Sequence, residues 1–177
     1  AYYRVADLAN ARRELQSLID EEPSNPYYQE LMGQILFENG RAEESIQYHE
    51  RSLELRPNEP LFQINLARAL TAARGRSGAD RSVELLRYVV REEPDNGFAW
   101  REMAQARSAQ GNEALAQLAS AEQNFSIGNY PAALSFAERA RLELPRNTPD
   151  YQRAMDLVTF AGNEVRDMER QQRPGRR

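Results

Sequence analysis

Cysteine is absent from the 177 residues, which removes disulfides, thiolate metal sites and cysteine nucleophiles together. Lysine is absent as well, so all 23 basic residues are arginines. The bias most simply reflects a GC-rich genome; a need for guanidinium forks is the lesser reading. Without lysine no Walker-type phosphate loop can form, and GRSG at 75–78 reads as a flexible interhelical turn. Histidine occurs once, at His49, which leaves neither a histidine-based metal site nor a serine–histidine triad. The stretch HERSL at 49–53 opens like a zinc-protease helix, but Leu53 stands where the second histidine is required. No apolar run approaches the ~20 residues needed to span a membrane. Positive charge is also in deficit: a net charge of −4 argues against a nucleic-acid binder. The basic cluster Arg170 to Arg177 reads as a frayed tail.

What is present is repetition. Three segments end alike, in LIDEEPSNP, LELRPNEP and VVREEPDNG, and RLELPRNTP follows later. The marker prolines are Pro23, Pro57, Pro94 and Pro145, so the intervals are 34, 37 and 51 residues. The second interval carries three extra residues, and the third carries seventeen, about one helix with its turn. Counted from each proline, one small-residue slot holds Gly33, Ala67 and Ala104. A second slot, twelve before the proline, holds Ala11, Ser45, Ser82 and Ala133. A third, five before it, holds Leu18, Ser52, Val89 and Ala140. Small residues at fixed intervals mark where neighbouring helices approach most closely. Gly33, which would cost an isolated helix roughly 0.5–1 kcal/mol relative to Ala, is thus read as a packing glycine at a helix crossing.

Period, small slots and terminal proline together resemble the tetratricopeptide-repeat family over nearly the whole chain. Of the slots where that family keeps a tryptophan, Gln29, Gln63 and Trp100, only the last retains it, and His49 falls where an aromatic is usual. The resemblance implies an all-α, right-handed superhelix of antiparallel helix pairs with a capping helix at the C-terminal end. Helices are expected at about 8–22, 26–39, 42–56, 60–73, 80–93, 97–110, 113–127, 131–144 and 149–170. The repeat domain is expected over 1–170, with 171–177 a basic disordered tail. The loop RGRSGAD at 74–80 is expected to absorb the three extra residues. The helix at about 113–127 is expected to serve twice, through Ala116 in one pair and Ala121 in the next. In the last helix Tyr151, Ala154, Met155, Val158, Ala161, Val165 and Met168 form one apolar stripe. AYYRV falls where the end of an earlier helix is expected, so the chain reads as cut from a longer polypeptide.

No catalytic, metal or cofactor residue is assigned: the acidic pairs Glu21-Glu22, Glu43-Glu44 and Glu92-Glu93 fall at helix ends or on solvated faces. What remains is a surface. In stacked helix pairs the first helix lines the concave side, which makes Tyr27, Glu30, Gln34 and Phe37 candidates for partner binding. The next repeat supplies Ile64, Asn65 and Arg68, and the following one Arg101 and Gln105. Leu61 and Phe98 occupy the same helices and are equally readable as core. Aromatics and arginine are what interface hot spots favour. The family's chaperone-tail clamp uses Lys and Asn where Glu30 and Gln34 stand, so a chaperone carboxylate is not the expected ligand.

The stretches NPYYQELMGQILFENGR, PDNGFAWREMA and LELPRNTPDYQRAMDL, with the seventeen-residue irregularity, are similar to one narrower group. That group is the C-terminal repeat region of bacterial periplasmic zinc metalloproteases of the BepA type, related to HtpX and the CAAX prenyl protease. The resemblance implies an upstream domain carrying HExxH, a periplasmic location, and repeats that dock on that domain, on outer-membrane proteins or on their assembly machinery. It carries over no catalytic residue. The alternative is a repeat scaffold or secretion-associated adaptor with no protease attached, and HExxH upstream of Ala1 discriminates the two.

Overall fold

The computed structural model describes residues 8–172, and among these every element is an α-helix. In order they are α1 (Leu8–Glu21), α2 (Pro26–Glu38), α3 (Ala42–Leu55), α4 (Pro60–Arg74), α5 (Arg76–Glu92), α6 (Gly97–Ala109), α7 (Glu113–Ser126), α8 (Tyr130–Glu143) and α9 (Pro149–Gln172). The AYYRV segment and residues 173–177 of the expected tail lie outside the described residues, while Gln171 continues α9.

The repeated sequence phrases are the hinges between helices. In EEPSN, Asn25 accepts from the Tyr27 N–H at 3.1 Å and donates to Glu22 at 3.1 Å. In EEPDN, Asn96 accepts from the Ala99 N–H at 3.0 Å and donates to Glu93 at 2.7 Å. Each asparagine thereby satisfies a free N–H of the helix it opens. The tryptophan slot has a role of its own in this turn. Trp100 Nε1 donates to the Pro94 carbonyl at 2.7 Å, and Gln63 Nε2 donates to the Pro57 carbonyl at 3.0 Å. A glutamine can therefore replace the tryptophan because both deliver an N–H to the same acceptor.

The chain divides into two compact units, one ending at Tyr88 and the other beginning at Val89, with the division inside α5. In the first, α2 packs against α1, α3 and α4, and α3 against α4. Leu15 and Ile19 of α1 meet Met32, Ile35 and Leu36 of α2, flanked by Tyr28 and Tyr48. Arg74 at the end of α4 clasps Glu43 of α3 at 2.7 Å, and this bond holds the Glu43 carboxyl below its ordinary range. In the second unit α7 packs against α6 on one hand and against α8 and α9 on the other, the double service expected of it. Ala121, Ala137, Ala140 and Ala154 let these helices close around Leu118, Leu144 and Leu157.

Two departures from the sequence reading have clear causes. The loop expected at 74–80 is a single residue, Gly75, at φ +52°, and α5 starts at Arg76. The extra residues lengthen helix instead of loop, because Gly75 can adopt a left-handed φ at little cost and turn the chain at once. GRSG is thus not a flexible turn. Gly78 already lies in α5 and is buried, and a Cβ there would overlap the Leu70 carbonyl, coming within 2.9 Å of its carbon. Gly78→Ala is expected to destabilise by about 1–3 kcal/mol, because backbone rather than a flexible side chain must give way; chemical denaturation with an unchanged midpoint would contradict this.

The second departure concerns the slots. Ser45, Ser82 and Ala133 are fully buried, as are Ser52, Val89 and Ala140, but Leu18 is largely exposed. Among the described residues α1 packs on α2, and Leu15 with Ile19 suffices for that one contact. In α9 the buried residues are Ala154, Leu157, Ala161 and Gly162; Leu157 was missing from the expected stripe, and Met168 is exposed.

Candidate functional site

Gly33 and His49 define the centre of the first unit. A Cβ at Gly33 would sit 2.6 Å from His49 Cε1 and 2.8 Å from both ring nitrogens. The imidazole of α3 thus occupies the space that a side chain on α2 would need. His49 is itself fixed: Nδ1 lies 3.0 Å from Oε2 of Glu30, one turn before Gly33. The same oxygen accepts from Ser52 Oγ at 2.8 Å, and Oε1 accepts from Asn65 Nδ2 of α4 at 2.6 Å. One buried carboxylate therefore joins three helices through three donors, the arrangement a buried polar group requires. Ser52 and His49 both point at the carboxylate rather than at each other, so the cluster lacks the serine–histidine contact of a nucleophilic triad.

This changes the standing of two candidate residues. Glu30 is only 6% exposed and its carboxylate is engaged on both oxygens, so it holds the helices and offers nothing to a partner. Ile64 is 1% exposed and belongs to the core. The cause is that α4 is buried along more than one face, Phe62, Gln63, Ile64, Leu66, Ala67, Ala69 and Leu70 all being covered. Between Leu61 and Leu70, α4 stays accessible along a narrow strip at exposed Leu61 and half-buried Asn65 and Arg68. The matching strip of α2 runs through Tyr27, Leu31 and Gln34, at i, i+4 and i+7. Leu31, at 46% exposure, was missed from the sequence, and Leu61, at 50%, is surface rather than core.

Arginine–aromatic stacking orders this strip. Arg68 lies over the Phe37 ring at 4.5 Å. Tyr27, 54% exposed, meets Phe62 edge-on at 5.8 Å and accepts a hydrogen bond from Arg56. Gln34 is tied to Glu38 at 2.9 Å. Three apolar or amphipathic side chains are thus presented beside polar groups already held in place, which lowers the ordering cost of binding. In the second unit Arg101 stacks on Phe98 at 4.9 Å and pairs with buried Glu102 at 2.8 Å, and Gln105 is exposed on the same helix. Arg101 therefore neutralises a buried carboxylate of its own unit. Among the described residues no group of three His, Cys, Asp or Glu side chains is placed to hold a metal ion.

No protein-family model matches the chain. Solved structures do share the fold. A MamA structure from Desulfovibrio magneticus RS-1 aligns over 94% of this chain and 90% of its own, with a TM-score of 0.68 at 16% identity. A tetratricopeptide repeat protein from Parabacteroides merdae aligns over 95% of this chain and 72% of its own, with a TM-score of 0.57 at 18% identity. The chain has the tetratricopeptide-repeat fold. It is 32% identical over 130 residues to the beta-barrel assembly-enhancing protease of Escherichia coli K12, a match covering 73% of this chain. The chain spans 26% of the length of that relative. The repeat fold and this likeness make it a protein-interaction module. No helix among the described residues is long and apolar enough to cross a membrane.

Proposed function

We propose that the chain is the non-catalytic docking part of a periplasmic zinc metallopeptidase that acts in outer-membrane protein assembly or quality control. The observation that carries this reading is the 32% identity over 130 residues to a beta-barrel assembly-enhancing protease, on a fold made for binding. The one histidine is spent inside the Glu30 cluster, so catalysis falls to an HExxH domain elsewhere in the polypeptide. The coding sequence upstream of Ala1 tests this: HExxH is expected, and a reading frame without it leaves the scaffold alternative.

The docking surface of the first unit is the strip of Tyr27, Leu31 and Gln34 with Leu61, Asn65 and Arg68. An extended segment fits it by placing apolar side chains on the two leucines and hydrogen-bonding to the amides. Leu31→Ser with Leu61→Ser is expected to weaken binding at least tenfold, about 1.4 kcal/mol. Stability should move by no more than about 0.5 kcal/mol, since both side chains are already exposed. Calorimetric titration of parent and double variant against the protease domain checks this; equal affinities would move the site off this strip.

A further inference from the structure

A second surface of the first unit lies on the side of the second helices, away from the residues just described. Between α3 and α5 runs a groove of about 680 Å³, within the size range of ligand sites. Its floor is apolar and comes from α4: Leu66 and Leu70, both buried. Leu53 of α3 faces Leu85 and Tyr88 of α5 across it. The lip is acidic, with Glu50 and Glu54 on α3 and Glu84 on α5, against the single cation Arg81. Arg81 is itself committed to Glu84 at 3.0 Å and Glu54 is paired with Arg51 at 2.9 Å. The Glu50 carboxylate acts at a distance on the Arg74 guanidinium, which is itself bonded to Glu43. One further lining group is Gln63, which is buried. Its Nε2 is used by the Pro57 carbonyl, which leaves Oε1 as an acceptor.

We propose that this groove binds a cationic amphipathic segment of a partner protein, a large apolar side chain flanked by arginine or lysine. The apolar side chain rests on Leu66 and Leu70 between Leu53 and Tyr88. The flanking cations reach Glu50 and Glu84, and a donor of the segment can satisfy Gln63 Oε1. Charge complementarity decides the class of occupant: an acidic or purely apolar segment would desolvate the Glu50 carboxylate against only Arg74, already bonded to Glu43, which is unfavourable. This site is independent of the docking strip on α2 and α4, since the two share no residue.

The test is fluorescence anisotropy of the full chain with three labelled decapeptides: alternating arginine and leucine, the same with glutamate for arginine, and the same with serine for leucine. Only the first is expected to bind saturably, with an affinity that falls as salt rises. Glu50→Lys with Glu84→Lys should weaken it at least tenfold while the helical dichroism is unchanged. Leu53→Ser, on the apolar wall, should weaken it similarly, which a purely electrostatic attraction would not. Glu138→Lys with Glu164→Lys, both in the second unit, is the control and should leave the affinity within twofold. Equal loss in the control, equal binding of the serine peptide, or no saturable binding of the first peptide would each overturn the proposal.

Discussion

Gly33→Leu is expected to unfold the first unit at temperatures where the parent is stable. The new Cβ alone would lie 2.6 Å from His49 Cε1, well inside van der Waals contact, and three further carbons would have to follow it. The ring cannot swing away, because it is buried and hydrogen-bonded to Glu30. Leucine gains up to about 1 kcal/mol of helix propensity over glycine, but overpacking at a rigid contact costs about 3 kcal/mol or more. A net loss of that size lowers Tm by several degrees in a chain of this length. Gly33→Ala should show the same clash in milder form, and His49→Ala should relieve it. The double variant is then more stable than the two single losses added together, with a coupling of about 1–3 kcal/mol. Strict additivity by chemical denaturation would mean that Gly33 and His49 do not touch.

Glu30→Leu should come next in severity. It removes the acceptor of His49, Ser52 and Asn65 at once. The three donors do not suffer equally. Ser52 Oγ can turn wholly to the His49 carbonyl, 2.9 Å away, and half-buried Asn65 can reach water. His49 has neither option, so the cost is chiefly one orphaned imidazole donor with strain in the surrounding packing, about 2–4 kcal/mol. Glu30→Gln is the informative companion. Its oxygen can keep His49 and Ser52, and Asn65 can present its own carbonyl to the new amide N–H₂, so the loss should be near 1 kcal/mol. If Gln and Leu were equally damaging in urea denaturation, the hydrogen bonds would not be what Glu30 contributes.

These two residues also show how far the sequence could be read. The 34-residue period, the terminal prolines and the small slots placed the helices to within a few residues of their observed ends. Gly33 was legible as a contact glycine because only a helix crossing justifies glycine in mid-helix. The identity of the touching group was not, since it depends on which α3 side chain faces it. A signal was nonetheless present: His49 fills an aromatic slot, Gly33 is the smallest residue of its slot, and Glu30 lies one turn away. A ring that needs a polar partner, a space to occupy and a carboxylate beside it together specify the cluster.

Repeat slots select the helices of the candidate surface but not which side of each stays exposed. Counting by repeat slot selected Glu30 and Ile64; exposed Leu31 lies about 100° around the helix from Glu30, and half-buried Asn65 as far from Ile64. Leu61 was readable as surface or core and Leu31 was not singled out, because residue type alone does not place a leucine. Burial on α4 depends on how many helices surround it, which no local pattern records. GRSG misled for a related reason. Two glycines three residues apart read as flexibility, whereas Gly75 supplies a left-handed turn and Gly78 a close approach to the Leu70 carbonyl.

The most direct test of the account is photo-crosslinking in living cells, with a benzophenone amino acid placed at Leu31, at Leu61 and, as control, at Glu138 of the full-length protein. The account predicts crosslinks from Leu31 and Leu61 to its own protease domain or to outer-membrane assembly proteins, identified by mass spectrometry, and none of these from Glu138. Crosslinks to the same proteins from Glu138 and not from the two leucines would contradict it.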